Sequence, residues 1–198
     1  LHPWDGVTDP IDPEEGRKQG KYTWAKSPRY DVPGKGYVPL EVGPLARQVM
    51  ANRPGAEAHQ DYDPVVADMI AKAGVNVMTR GLARMHEEAK YFTYAKKWLS
   101  EIDLHDDFYK KPAEPQSGKG FGATEAARGA LADWIVIEDG KIANYQVITP
   151  TAWNIGPRDG KDNHGPMEKA FIGAPVENPD FPVELAQVAH SYDSCLVC

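Results

Sequence analysis

The only two cysteines of this chain stand at its end, in Ser191-Tyr-Asp-Ser-Cys-Leu-Val-Cys198, three positions apart, with the carboxylate of Asp193 two before the first. Thiolates at that spacing can grip one soft or borderline metal ion, but a closed site needs about four donors and this pair supplies half of them. The same spacing suits a surface dithiol, a strained local disulfide or two inert thiols. A thioredoxin-like role fits less well, because that motif opens a helix whose N-terminus lowers the thiol pKa, whereas here the pair follows a predicted helix. A buried thiolate-bound metal also needs donors around it that hold charge and fix its other ligands. Arg128, in the small-residue stretch Ala126-Ala127-Arg128-Gly129, and Thr151, directly after Pro150 at a predicted strand end, are placed to be such donors. Their plainer readings are a loop arginine paired with a carboxylate and a cap or turn threonine.

Several elements must position these groups. Seven prolines in the first 45 residues (Pro3, Pro10, Pro13, Pro28, Pro33, Pro39 and Pro44) forbid a long helix there. That stretch reads as an extended, wrapping segment, with Trp4, Tyr22, Trp24, Tyr30 and Tyr37 as aromatic anchors on a larger body. Leu45 to Met50 can start a short helix that Pro54-Gly55 would end. Asp63-Pro64 reads as the cap and first position of a helix that stops near Gly74. A second helix is expected from Thr79 toward Ile102, carrying Leu82, Met85, Ala89, Phe92 and Lys96 at helical spacing, so the two predict an antiparallel helical hairpin. Glu87, Glu88, Lys90, Lys96 and Lys97 read as its solvated face, and His86 as structural. Pro112 to Gly122 reads as a linker. Trp134–Ile137 and Ile142–Ile148 flank Asp139-Gly140, a strong two-residue β-hairpin signal. Pro150 ends the hairpin, and a loop rich in Gly and Asp follows from Trp153. Pro166 opens a short helix, and Pro182 another, with Val183, Leu185, Ala186, Val188 and Ala189 facing inward toward the tail.

Composition narrows the function classes. At 198 residues with 41% hydrophobic content the chain can bury a core, as one large domain or one and a half small ones. A net charge of −7 and a pI near 5.4, with no clustered Lys and Arg, argue against a nucleic-acid surface. No stretch approaches the roughly 20 apolar residues that cross a bilayer, and no signal peptide is evident, so membrane contact would come through partners and the expected compartment is the cytoplasm. Two cysteines are too few for a disulfide scaffold. The chain begins at Leu1 rather than Met, in the loop-like run Leu1-His-Pro-Trp-Asp-Gly6, and reads as the later part of a longer or split polypeptide.

One family matches this set. Leu1-His-Pro-Trp-Asp-Gly6, Tyr22-Thr-Trp-Ala-Lys-Ser-Pro-Arg29, Glu41-Val-Gly-Pro-Leu-Ala-Arg47, Thr124-Glu-Ala-Ala-Arg-Gly-Ala-Leu131, Gly140-Lys-Ile-Ala-Asn-Tyr-Gln146, Pro150-Thr-Ala-Trp-Asn154, Gly156-Pro-Arg-Asp159 and Asp193-Ser-Cys-Leu-Val-Cys198 keep order along nearly the whole chain. Together they resemble the C-terminal portion of the large, catalytic subunit of [NiFe] hydrogenases. The implied fold is mostly α with a small β-hairpin or sheet (α+β), a helical bundle of that subunit's type, incomplete without an N-terminal part. Residues 1–198 would form one partial domain: an extended segment over 1–60, a helical hairpin over 61–111, and the hairpin, loops and metal-ligand tail over 112–198.

The resemblance implies a Ni–Fe centre held by four cysteines. Cys195 would be a terminal thiolate on nickel and Cys198 a bridge to iron; the other C-x-x-C would come from the N-terminal part of the subunit. The iron would carry CO and cyanide, with Arg128 and Thr151, beside Pro150, bonding the cyanides. Leu131 would keep the small-ligand pocket dry, and Asp193 would orient Arg128. The main-chain carbonyl of Val147 would help bind a structural cation, magnesium in type. The implied reaction is heterolytic oxidation of H2, with Cys195 as the proton acceptor and Arg128 as the rival. A guanidinium with a pKa above about 12 is a poor base. The electrons would leave through iron–sulfur clusters in a small partner subunit, since no further cysteine is available to hold a cluster.

Three features depart from the family pattern. Ala127 and Ser194 stand where the family usually has proline, a combination similar to the actinobacterial-type high-affinity uptake subgroup. The histidine that normally lies three past the second cysteine is missing. Two other readings stay open at this point: a metal-free, hydrogenase-like structural or quinone-site subunit of a respiratory complex, and a zinc or redox C-x-x-C interaction module.

Overall fold

The computed structural model describes residues 2–5, 14–15, 25–111, 113–114, 116–159 and 161–195. Tyr22 and Trp24, two of the expected anchors, and Cys198 lie outside them. The elements are two short strands, β1 (Tyr30–Val32) and β2 (Gly36–Val38), then helices α1 (Pro44–Ala51), α2 (Pro64–Ala73) and α3 (Val77–Glu101). Strands β3 (Gly118–Ala126), β4 (Gly129–Glu138) and β5 (Lys141–Ile148) follow, and then helices α4 (Pro150–Asn154), α5 (Pro166–Phe171) and α6 (Val183–Ser191). Helices with two small antiparallel sheets, β1-β2 and β3-β4-β5, make this an α+β fold.

The helix ends follow from local chemistry. Asp63 Oδ1 accepts from the amides of Val65 and Val66, Pro64 needs no N–H at the first position, and Gly74 closes α2 with φ 68°. α3 begins two residues before Thr79, because Asn76 is the cap and Thr79 is the third helical residue of a capping box: the Thr79 amide donates to Asn76 Oδ1 (3.1 Å) and the Asn76 amide to Thr79 Oγ1 (2.9 Å). Its 25 residues run about 37 Å.

The strands revise the expected linker and the expected extended segment and contain the expected hairpin. The stretch 112–122, read as a linker, and the loop after it contain β3, which pairs along its whole length with β4 (Phe121↔Trp134, Thr124↔Leu131, Ala126↔Gly129). Gly118, Gly120 and Gly122 hide the strand, since they carry no alternating pattern, and Gly120 leaves room for Ile135. The expected hairpin is β4–β5, turning at Asp139 (φ 49°) and Gly140 (φ 72°). Beyond it, Pro150 opens α4, with Thr149 as its cap. The N-terminal region, read only as extended, folds back at Pro33-Gly34 to make β1–β2, and Tyr30 and Tyr37 are exposed there. Trp4 does anchor: its Nε1 donates to Gly120 O (3.4 Å) and its carbonyl accepts from Asn144 Nδ2 (2.9 Å).

The small core lies where α1, α2, α3 and α6 meet and includes Leu45, Ala51, Val66, Ala83 and Val188. Of the inward set expected on α6, Val188 is buried, whereas Val183 and Ala186 are exposed. α3 is also turned opposite to expectation. Thr79, Arg80, Ala83 and Glu87 are buried, whereas Met78, Met85, Phe92 and Leu99, seven residues apart, are exposed together with Leu82. Glu87, read as solvated, is 4% exposed and paired with Arg47. Lys90 pairs with Asp61, which holds that carboxyl below its usual range.

Candidate metal centre

Three segments distant in sequence come together here. The first is the β3–β4 turn, where Ala127 and Arg128 link Ala126 to Gly129. That turn is pressed onto the start of α1. A Cβ on Gly129 (φ 134°) would stand 2.6 Å from Val42 Cγ2 and 2.7 Å from Gly43 N, and one on Gly43 (φ 120°) would stand 2.9 Å from Arg128 O. Only glycine at both positions permits this approach. Arg128 reaches from the turn to the tail: its Nε donates to the Asp193 main-chain O (2.9 Å) and its Nη2 to Asp193 Oδ1 (3.3 Å). Nε also lies 3.1 Å from Asp193 Oδ2.

The tail itself is the second segment. α6 ends as the Asp193 amide donates to His190 O (2.9 Å), and Asp193 takes φ 50°, the left-handed conformation that asparagine and aspartate tolerate better than most side chains. The chain thereby reverses and carries Cys195 back toward α4. Two arginines of α3 hold this helix end. Arg84 Nη2 donates to Ser191 O (3.4 Å), and its Nε lies 3.7 Å from Asp193 Oδ2. Arg80 forks onto Glu41 (2.8 and 2.9 Å), donates to the Tyr192 hydroxyl (2.9 Å) and lies over that ring. Cations beside the carbonyls ending α6 offset the negative end of its dipole. Burial, with the nearby Glu41, pushes the Tyr192 hydroxyl well above its ordinary pKa, so it stays neutral.

The third segment is α4. Thr151, 5% exposed, accepts the Cys195 amide hydrogen on its Oγ1 (3.0 Å). A hydroxyl can accept and donate at once, so Thr151 fixes the backbone of the half-buried Cys195 while keeping its own hydrogen to donate. Pro150, buried at the first position of α4, sits beside it. Leu131 lies half-buried on β4, three residues past Arg128. Val147 is on β5, and its carbonyl accepts from Lys26 Nζ (3.1 Å), which also bonds Gln146 Oε1 (3.3 Å).

Arg128, Asp193, Thr151 and Cys195 are thus brought together, while the Val147 carbonyl is served by an ammonium. Among the described residues there is no group of three or more His, Cys, Asp and Glu side chains able to hold an ion. The donor set nevertheless fits a shared thiolate centre: one soft ligand on a pinned backbone, with a guanidinium and a hydroxyl close by. Sequence reasoning missed Arg47, Arg80, Arg84 and Glu87. Their signal was available, because Thr79 and Ala83 are small, share a helix face with Arg80, Arg84 and Glu87, and mark where another element approaches closely.

The model of the nickel-dependent hydrogenase family matches residues 1–198. This chain belongs to the nickel-dependent hydrogenases. Among relatives of this hydrogenase chain, the uptake hydrogenase large subunit of Bradyrhizobium diazoefficiens is 38% identical over 225 residues, covering 100% of this chain and 37% of that protein. The hydrogenase-2 large chain of Escherichia coli K12 is 34% identical over 214 residues, covering 99% of this chain and 36% of that one. The Ni-Fe-Se hydrogenase of D. vulgaris Hildenborough superposes with a TM-score of 0.84 at 35% identity, over 100% of this chain and 41% of that one. The chain therefore spans somewhat over a third of the length of the hydrogenases it matches. Membership implies a nickel–iron centre.

Proposed function

We propose that this chain is the C-terminal part of a hydrogenase catalytic subunit and furnishes one face of the centre that oxidises H2. The observation that carries the reading is the Cys195 amide held by Thr151 beside an Asp193 gripped by Arg128. A pinned thiol with charged donors around it suits ligation of a metal better than a solvent-facing dithiol. Cys195 and Cys198 would hold the group, with the other two cysteines from the N-terminal part of the subunit. When bound, that group supplies the Lewis acidity that lets a nonpolar and very weakly acidic molecule split.

The roles of the chain's own residues follow from their chemistry. H2 yields two protons and two electrons, and Cys195 sulfur would take the first of those protons. Arg128 would donate to a cyanide on the iron, with Asp193 fixing its direction. Thr151 would donate its hydroxyl hydrogen to a second cyanide, with Pro150 rigid beside it, and Leu131 would exclude water from the small-ligand pocket. Lys26 shares the Val147 carbonyl with any structural cation placed there. Electrons leave through an iron–sulfur small subunit.

The outward stripe of α3 supports an absent partner segment. Met78, Met85, Phe92 and Leu99 repeat every seven residues along an exposed helix face, the pattern that packs against another helix. We assign that position to a helix from the N-terminal part of the same subunit. No described helix is long and apolar enough to cross a membrane. In this reading the assembly is cytoplasmic and any membrane contact belongs to partners.

Metal analysis and infrared spectroscopy of the assembled enzyme test the proposal. Nickel and iron in equal amounts, with carbonyl and cyanide stretches, are expected, and C195A should abolish both the nickel and the H2 oxidation. Zinc, an absence of metal, or full activity in C195A would overturn it.

A further inference from the structure

The turn that carries Arg128 is held from below by a second arginine. Arg47, on α1, spends all five of its guanidinium hydrogens. Its Nε donates to Glu87 Oε1 (3.0 Å) and its Nη2 to Glu87 Oε2 (2.6 Å). Nη1 donates to Glu125 Oε2 (2.7 Å) and to Ala126 O (3.1 Å), and Nη2 also donates to Ala127 O (3.1 Å). The last two acceptors are the carbonyls immediately before Arg128. Glu87, the anchor, is buried on α3 and also accepts from Gln48 Nε2 (3.1 Å), so it is fixed to α1 at two points. Three elements, α1, α3 and β3, therefore meet in one guanidinium, and what that guanidinium fixes is the backbone of a two-residue turn.

The surroundings make this contact specific. The turn has no bulky side chain of its own between Ala126 and Gly129 apart from Arg128, so side-chain packing cannot set its angle. Gly43 and Gly129 fix how close it comes to α1, as a distance. Arg47 fixes its tilt, because two adjacent carbonyls bonded to one rigid planar fork leave it no rotation. Burial of Arg47 works against its charge, but its bonds to Glu87 and Glu125 outweigh that and hold it firmly protonated.

We infer that Arg47, braced by the buried Glu87, is a positioning residue for the metal centre: it sets the direction in which Arg128 meets Asp193 and the iron ligands. Lysine at this position could satisfy Glu87 but could not hold both carbonyls, since an ammonium lacks the planar fork. The inference rests on the proposed role of Arg128 as donor to a cyanide.

The test uses the assembled enzyme with both subunits and compares wild type, R47K, R128K and the double variant. R47K is expected to keep nickel and iron, to shift the cyanide stretches, and to lower kcat by on the order of tenfold to a hundredfold with KM for H2 unchanged, the size of effect that small misplacement brings. On the R128K background, R47K should cause little further loss, because it acts through Arg128. Cyanide bands and kcat in R47K identical to wild type, with or without a lower melting temperature, would overturn the inference while leaving the proposed function intact. Full additivity of the two substitutions would overturn it too. Absence of cyanide bands from the wild type would instead remove the reading beneath it. Should R47K not assemble, E87Q carries the test. It leaves four of the five acceptors in place, is read by the same bands, and failure of both to assemble would mark the pair as purely structural.

Discussion

Replacing Thr151 by valine should release the metal-ligand tail without disturbing the helix that holds it. Valine matches threonine in shape, so the buried position in α4 stays filled. The change removes the Oγ1 acceptor that meets the Cys195 amide at 3.0 Å. A buried amide left without its partner costs about 2 kcal/mol, roughly thirtyfold in the ratio of docked to undocked tail. Hydrogen exchange at the Cys195 amide reads this ratio directly and should accelerate by about that factor. Nickel retention against a chelator should fall in parallel, and T151S, which restores the hydroxyl, should recover both. Exchange at Cys195 as slow in T151V as in wild type would refute the reasoning, because the tail would then be held by something other than this bond.

Two further outcomes follow from the same geometry. G129A should destabilise the protein by about 3 kcal/mol or more, read as a shift in the denaturation midpoint, since its new methyl would meet Val42 and the Gly43 amide in a backbone conformation that alanine resists. A midpoint within error of wild type would show that the β3–β4 turn is not pressed on α1. Asp159 is held at a pKa of about 2, below its ordinary 3.8, by the side chain and amide of Asn163, the Lys161 amide and the nearby Arg29. The unfolded chain takes up this proton first as pH falls, so the stabilisation is full above the unfolded value and is lost between about 3.8 and about 2. Melting curves of wild type and D159N should therefore converge across that window, and parallel curves would contradict the assignment.

Much of the architecture was readable where one residue sets the backbone by itself. Asp63, Pro64 and Gly74 fix α2 through a side-chain acceptor, a missing N–H and a left-handed terminus, and Asp139-Gly140 fixes the β4–β5 turn. The family motifs single out Arg128, Thr151, Asp193 and Cys195 and imply the Asp193–Arg128 contact that the fold makes, but not the bond between Thr151 and the Cys195 amide. What escaped depends on distant neighbours. β3 is glycine-rich and gains strand character only by pairing with β4. The inward face of α3 is charged because Glu41 and Arg47, some forty residues earlier, supply the counterions, so its hydrophobic periodicity pointed to the wrong side. Asp193 and Thr151 are over forty positions apart, and only the reversal after α6 brings the Cys195 amide to a threonine on another helix.

The reversed polarity of α3 gives its two faces different kinds of partner. Arg80, Arg84 and Glu87 answer to partners within this same stretch of polypeptide, so a change at any of them takes a counter-charge from Glu41, Asp193 or Arg47. Met78, Met85, Phe92 and Leu99 stand exposed against the described residues, and in the proposed assembly they answer to the helix that covers them.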